Sequence, residues 1–365
     1  MIISRTPFRI SFFGGGTDYP VWYQEEGGAV LATTIDKYSY ITCRYLPPFF
    51  EHKTRIAYSI IERVKANEEI KHPAVRGVLH YLKMDHGVEI HHDGDLPSRT
   101  GLGSSSAFTV GLLHALKALR QIMPTKMELA KEAIKVEQEI LKENVGCQDQ
   151  VMAAHGGLCR VDFHPNHDIH VTPIILSRDR LRHFQNHLLL YFTGFSRNAS
   201  EIAQEQIGLT KHRKNELHAI FKMVQEGVSI LTRENNLVDF GLLLHEAWKI
   251  KRSLTSKIST PVIDEVYESA RRAGAIGGKL LGAGGGGFLL LFAKPEDQPT
   301  VKEALRGLLR VPFSFETIGS QIIFYQPTEL IDRDYPAGFQ VKDETEILAE
   351  AEPQPDSASV PTMND

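Results

Sequence analysis

Residues 97–107 read Pro97-Ser-Arg-Thr-Gly101-Leu102-Gly103-Ser104-Ser105-Ser106-Ala107 and run straight into an amphipathic stretch. Two glycines one residue apart let a backbone turn tightly and approach a ligand with no Cβ in the way. Three hydroxyls follow where the unpaired N–H groups of a new helix point outward. Such a helix start aims backbone donors and the positive dipole end at one place. The stretch reads as a phosphate cradle; a Gly/Ser loop with a serine cap is the alternative. Phe108, Leu112, Ala115, Leu116 and Leu119 recur at helical spacing behind it and predict a helix over about 104–121.

The next helical pattern, about 126–143, opens on the capping box Thr125-Lys-Met-Glu128. Leu129, Ala130, Ala133, Ile134, Ile140 and Leu141 form its apolar stripe, with Lys131, Lys135, Gln138 and Lys142 opposite. Glu137 falls within the stripe, where a carboxylate is expensive unless something positive meets it. A bound cation or a buried ion pair with Lys or Arg would account for it. Gly146 is expected to end this helix, after which Cys147-Gln148 presents Asp149 beside Gln150. Asp149 is either a cap on the next helical turn or a general base that positions a hydroxyl.

The N-terminal third reads as strands. Ile2, Ile3, Phe8, Ile10, Phe12 and Phe13 lead to Gly14-Gly15-Gly16-Thr17-Asp18-Tyr19, with Arg9 on the strand. Arginine is always charged and holds a nearby aspartate ionised. Thr17 and Asp18, short polar residues after glycines, suit hydrogen bonds to sugar hydroxyls; Asp18 as a helix cap is the other reading. Val30–Ile35 and Tyr38–Tyr45 form an expected strand pair around Asp36-Lys37, and Glu89–His92 a further strand. Ile174–Leu176 and Leu188–Phe192 resume β character. Residues 199–233 and 236–256 read as long helices, and Pro261–Ala273 as a third that starts after Thr260. Lys279-Leu-Leu-Gly282-Ala-Gly284-Gly285-Gly286-Gly287 then enters the apolar strand Phe288–Phe292. A flexible linker is not usually flanked this way, so another backbone or a ligand is expected against the loop. Ile318–Tyr325 offers a last strand.

The pattern is α+β with antiparallel pairing in the second half. At 365 residues two domains are the default, with a boundary near 185–195: an N-terminal domain over 1–190 and a C-terminal domain over 191–335. The segment 341–365 reads as a disordered acidic tail, with no Lys or Arg from Asp343 onward. Apolar content of 42% and charged content of 24% are those of a globular protein. A net charge of −4 argues against nucleic acid as the main partner. Three cysteines without metal-ligand spacing point to a reducing compartment. The start Met1-Ile-Ile-Ser-Arg-Thr-Pro lacks a signal-peptide core and no apolar run reaches membrane-spanning length, so a cytoplasmic protein with no membrane partner is expected. His164, His167 and His170 sit among Pro165, Asn166 and Asp168 and read as turn histidines rather than a metal site.

Pro97–Ala107, the Glu137/Asp149 pair and Gly282–Gly287 occur in the order and rough spacing of the GHMP kinase superfamily, which the chain resembles over about residues 1–330. The GxxxxGK[ST] loop and the protein-kinase HRD and DFG runs are absent. Arg9 with Gly14-Gly-Gly-Thr-Asp18-Tyr looks like the branch acting on heptose and deoxyhexose sugars, heptose 7-phosphate kinases above all. Galactokinases carry Gly-Glu-His-Thr-Asp-Tyr at this turn, so their hydroxyl contacts do not all carry over; mevalonate-type kinases lack the Thr-Asp signature. The resemblance implies a ribosomal-protein-S5 domain 2-like N-terminal domain and a ferredoxin-like C-terminal domain. It implies ATP with its phosphates over Pro97 and Gly101–Ser106, and Mg²⁺ on Ser105 and Glu137, with Ser104 as fallback. Asp149 would take the proton of the sugar's anomeric hydroxyl and Arg9 would keep it ionised. Gly16, Thr17 and Asp18 would hold the sugar, and Gly284, Gly285 and Gly286 would close over it. The implied reaction makes a heptose 1-phosphate for nucleotide-activated heptose. A kinase of free L-fucose or galactose, and a non-catalytic sensor, are the alternatives; a monomer or homodimer is expected. A 7-phosphate needs a basic receptor, with Arg44, Lys53, Arg55, Arg160 and above all Arg197 as candidates.

Overall fold

The computed structural model describes residues 1–47, 49–194, 199–233 and 236–327. Arg197 and the segment 341–365 lie outside them. The chain forms two sheets with helices against them, which fits the α+β expectation. Among the described residues the larger sheet has nine strands, built around the antiparallel pair Ile2–Phe13 and Gly28–Tyr45. The smaller has four, in the order Leu309–Arg310, Leu188–Phe192, Phe288–Phe292, Gly277–Leu280, all antiparallel. Residues 315–325 return to the first sheet: Phe315–Glu316 pairs with Gly28–Tyr45, and Gln321–Tyr325 with Ile2–Arg5. No helix among the described residues is long and apolar enough to cross a membrane.

Four expectations need correction. Val30–Ile35 and Tyr38–Tyr45 are one strand, not a pair. Phe8 faces Ile35 while Pro7 faces Tyr38, so Asp36 and Lys37 are extra residues bulged opposite a proline that has no N–H to offer. Asp36 instead exchanges hydrogen bonds with Ser314, its N–H donating to the Ser314 carbonyl at 2.9 Å and its Oδ1 accepting from Ser314 N–H at 2.8 Å. The helix over 126–143 is α-helical only through Lys135. It continues as a π turn over Val136–Ile140, and Lys142 at φ 55° ends it rather than Gly146. Ile174–Leu176 is not strand; the preceding strand stops at Pro173, and Ile175 points into solvent. The 199–233 stretch breaks into Ala199–Leu209 and Lys214–Thr232. Between them Thr210 turns its hydroxyl back onto the Gln206 carbonyl at 3.1 Å. The helix Ser104–Leu119, the capping box at Thr125, the cap at Thr260 and the strand Phe288–Phe292 follow the sequence reading.

The two sheets share a core. Phe12 of the first meets Phe184 and Phe240 at centroid distances of 5.4 and 5.5 Å, and Phe240 reaches Phe292 of the second at 6.0 Å. Aromatic pairs of this kind contribute about 0.5–1.5 kcal/mol each beyond burial. They fix the strand that carries Arg9 against the domain that carries the glycine loop.

Candidate active site

Between the domains lies a cleft of about 470 Å³. Its floor is the start of the helix Ser104–Leu119. Gly103 caps that helix in the left-handed conformation (φ 72°) with no side-chain cap, so the first N–H groups stay open. Gly101 (φ 88°) lies so close to the second glycine motif that a Cβ on it would stand 2.4 Å from the Leu281 carbonyl oxygen. A Cβ on Gly282 would meet Gly101 Cα at the same distance. The backbone expected against the Gly282–Gly287 loop is therefore the Pro97–Ala107 loop itself. Phe288 N–H donates to the Thr100 carbonyl at 3.1 Å and locks the two together.

Arg9 and Asp149, 140 residues apart, meet at this floor. The guanidinium donates from Nε to Oδ1 and from Nη2 to Oδ2, each at 2.8 Å, and from Nη1 to the Gly101 carbonyl at 2.7 Å. A Cβ on Gly103 would lie 3.4 Å from the Asp149 carboxylate, so a side chain at that position would press on it. Asp149 stands in the first turn of the helix Gln148–His155 with its side chain one quarter exposed, while Arg9 is buried. The capping reading is not met: Cys147 stands at the N-cap with no side-chain cap, and both Asp149 oxygens accept from Arg9 at the edge of the cleft.

Asp18 also lines the cleft. Its Oδ1 accepts from Gly16 N–H at 3.0 Å and its Oδ2 from Gln148 N–H at 3.3 Å. Burial, and then the Asp149 charge, push its carboxyl above the usual range. It does not cap the helix Pro20–Glu26. Gly146 serves this approach: a Cβ there would stand 1.9 Å from Asp18 Oδ2. Thr17 is a correction. Expected at sugar hydroxyls, it is fully buried, donating to the Gly14 carbonyl at 2.8 Å and the Ala29 carbonyl at 2.9 Å and accepting from Ala29 N–H at 3.2 Å. It holds the turn and does not line the cleft. Gly16, Gly284 and Gly286 line the cleft; Gly285 instead donates to the Ile258 carbonyl at 2.9 Å.

Glu137 is fully buried in the π turn and is brought to Ser106 rather than Ser105. Ser106 Oγ donates to Oε2 at 2.8 Å, and Gln150 donates to the same oxygen. Burial pushes its carboxyl up to about 7 against those hydrogen bonds. Oε1 has no partner. Ser104 and Ser105 line the cleft, and Ser104 Oγ accepts from Arg99 N–H at 3.2 Å.

Several cleft residues were not singled out from sequence. Lys279 donates to the Phe12 carbonyl at 2.9 Å, and Lys251 to the Leu280 carbonyl at 3.1 Å and to that of Gly282. Burial lowers both amines, Lys251 to about 7, with neighbouring cations adding to the effect. Ser11 and Gln148 carry unpartnered oxygens, and Arg99 stands at φ 61° in the phosphate loop. Ser11 was findable, two positions from Arg9 on an alternating strand. Lys251, in a helix full of charges, gave no signal.

Residues 68–157 match the family described as the GHMP kinases N terminal domain, and 229–310 the GHMP kinases C terminal family. The D-glycero-alpha-D-manno-heptose 7-phosphate kinase of Campylobacter jejuni is 28% identical over 330 residues, covering 84% of this chain and 93% of that protein. The bifunctional fucokinase/GDP-fucose pyrophosphorylase of Arabidopsis thaliana is 25% identical over 319 residues, 80% of this chain but 30% of that longer protein. Among solved structures, a D-glycero-D-manno-heptose 1-phosphate kinase from Bacteroides thetaiotaomicron superposes with a TM-score of 0.72. It is 23% identical and covers 88% of this chain and 98% of its own.

Proposed function

The chain belongs to the GHMP kinases, with both an N- and a C-terminal domain of that family, and from that premise we propose an ATP-dependent sugar kinase. Its acceptor is the anomeric hydroxyl of D-glycero-D-manno-heptose 7-phosphate, and its product feeds nucleotide activation of the heptose. The observation that carries this reading is the Asp149 carboxylate on the cleft, clamped by Arg9, whose guanidinium also holds the Gly101 carbonyl of the glycine-serine loop. The Campylobacter jejuni relative, a D-glycero-alpha-D-manno-heptose 7-phosphate kinase, supports the acceptor.

The chemistry follows from those positions. The open N–H groups at Ser104–Ser106 and the dipole of the helix behind them hold phosphate oxygens of ATP. The acceptor oxygen bonds to the γ-phosphorus as the bond from that phosphorus to the β–γ bridging oxygen breaks, and Asp149 takes the hydroxyl proton. Arg9 has its guanidinium engaged by Asp149 and Gly101, so it orients the base. Asp18 and Gly16 present oxygen and backbone to the sugar. Thr17 keeps their turn in shape. A buried carboxylate with Oε2 held by Ser106 and Oε1 unpartnered fits a hard cation, so Glu137 would hold Mg²⁺, with Ser105 or Ser104 on the cleft side of the same turn as its partner ligand. When bound, the ion supplies charge neutralisation for the phosphates.

The test is ADP release with ATP and Mg²⁺ on D-glycero-D-manno-heptose 7-phosphate, free heptose, L-fucose and galactose. Turnover with the 7-phosphate at kcat/KM well above the others is the expected result. Preference for a free sugar keeps the kinase and discards the acceptor; ATP binding without turnover on any sugar favours a sensor.

A further inference from the structure

On the Ser11 side of Asp149 the cleft carries a second polar cluster that the transfer step does not use. Ser11 and Arg9 leave the same face of the strand Ile2–Phe13, roughly 7 Å apart at the usual rise per residue. The Ser11 hydroxyl is buried, 6% exposed, and has no hydrogen-bond partner. Gln148 Oε1 has none either. Both side chains close on Gly15, where a Cβ would stand 3.9 Å from Ser11 Oγ and 3.7 Å from the Gln148 amide nitrogen. Beside Ser11, the Phe12 carbonyl takes one N–H of the Lys279 ammonium, leaving two for a ligand. Buried polar atoms in native proteins are nearly always satisfied, so these await an occupant.

Charge narrows that occupant to an anion. Among the described residues neither Lys279 nor Lys251 forms an ion pair, and both rest on backbone carbonyls. Asp18 faces Lys279 electrostatically, but its oxygens already accept from Gly16 and Gln148 N–H groups. Burial disfavours the ammonium form of both amines, and an arriving anion restores it by supplying the missing counter-charge. Of the basic residues suggested by sequence, Arg197 lies outside the described residues and the other four stand elsewhere. Arg44 and Arg55 are paired with Glu89, Arg160 with Asp162, and Lys53 does not line the cleft.

We propose that Ser11 and Lys279, flanked by Gln148 and with Lys251 adding charge, form the subsite for the acceptor's own phosphate monoester and so select a phosphorylated over a free sugar. The inference rests on the sugar-phosphate reading above. The placement agrees with it: Ser11 follows Arg9, the partner of Asp149, by two residues on the same strand, and both Ser11 and Asp149 line the cleft.

The experiment compares kcat/KM for D-glycero-D-manno-heptose 7-phosphate with that for free heptose in wild type, Lys279→Met, Lys279→Arg and Ser11→Ala. The ratio is expected to fall at least 10-fold in Lys279→Met and several-fold in Ser11→Ala, through KM, with partial recovery in Lys279→Arg. Equal losses on both acceptors, or losses confined to kcat, overturn the subsite and assign Lys279 to the transferring phosphoryl group or to the fold. ATP affinity by calorimetry reports folding, and Ser11→Ala, nearly isosteric, carries the test should the lysine variants not fold. A wild type without preference for the phosphorylated sugar overturns the acceptor reading and this subsite together. A wild-type preference that survives every substitution overturns the subsite alone.

Discussion

The two walls of the cleft are built on opposite electrostatic plans. On the N-terminal wall the side chains of Arg9, Asp149, Asp18 and Thr17 are engaged by other groups of the chain, Arg9 and Asp149 by one another. On the C-terminal wall Lys251 and Lys279 rest on carbonyls, and among the described residues neither forms an ion pair. The paired wall is preorganised: its charges hold their geometry before any ligand arrives, as stabilisation of a transition state requires. The unpaired wall is incomplete without an anion, as selection of a phosphorylated ligand requires. Substitutions on the first wall should therefore act on turnover and stability, and on the second on affinity and its pH dependence.

The sharpest break is at the paired wall. Asp149→Asn keeps the shape and removes the base, so kcat should fall by about 10²–10⁴ while ATP affinity, by calorimetry, stays near wild type. Strong residual turnover would remove Asp149 from the role of base and leave it as the partner that holds Arg9. Next comes the seam between the walls. Gly101→Ala places a Cβ 2.4 Å from the Leu281 oxygen at a residue of φ 88°. Strain and a forced shift together should cost about 1–3 kcal/mol and lower both the midpoint of thermal unfolding and ATP affinity. An unchanged midpoint would mean that the two glycine loops are not locked together.

Thr17 separates scaffold from ligand contact on the same wall. Thr17→Val removes a hydroxyl that bonds two buried carbonyls and an N–H, so stability should drop by about 1–3 kcal/mol in urea unfolding. Its effect on the acceptor KM should be no more than the small change expected of a shifted turn. A large KM increase with stability intact would restore the hydroxyl-binding role read from the sequence.

The sequence was legible where local rules act, and less so where partners come from afar. Gly101 and Gly103 before a helical pattern, the Thr125 box and the cap at Thr260 each depend on residues within one turn, and each appears as read. Glu137 was visible as a carboxylate on an apolar face, but its partner was not. A π turn rotates the helix at Val136–Ile140, and Ser106 receives the carboxylate. Thr17 and Asp18, adjacent in sequence, divide between scaffold and cleft because a turn of three glycines points them in different directions. The strand pair around Asp36 failed for a similar reason, since the bulge is held by Ser314, 278 residues away. Lys251 and Lys279 acquire meaning only when the second sheet is laid against Phe12.

The smallest expected effect tests the unpaired wall by pH. Burial, with Arg9 nearby, lowers the Lys251 amine from its ordinary 10.5 to about 7. Between those values the folded chain carries a neutral amine and the unfolded chain an ammonium, so the unfolded state binds more protons. Stability therefore rises with pH across that window, and below 7 the burden of the buried charge is complete. Affinity runs the other way, because the ammonium that attracts phosphate is lost as pH rises through 7. Lys251→Met should flatten both slopes: unfolding midpoints between pH 7 and 9.5 should climb less than in wild type, and the several-fold rise in wild-type KM for the sugar phosphate over pH 6–8 should shrink. Parallel slopes in wild type and variant would assign the pH dependence to another group. They would also place Lys251 with the scaffold, leaving Lys279 alone to face the anion.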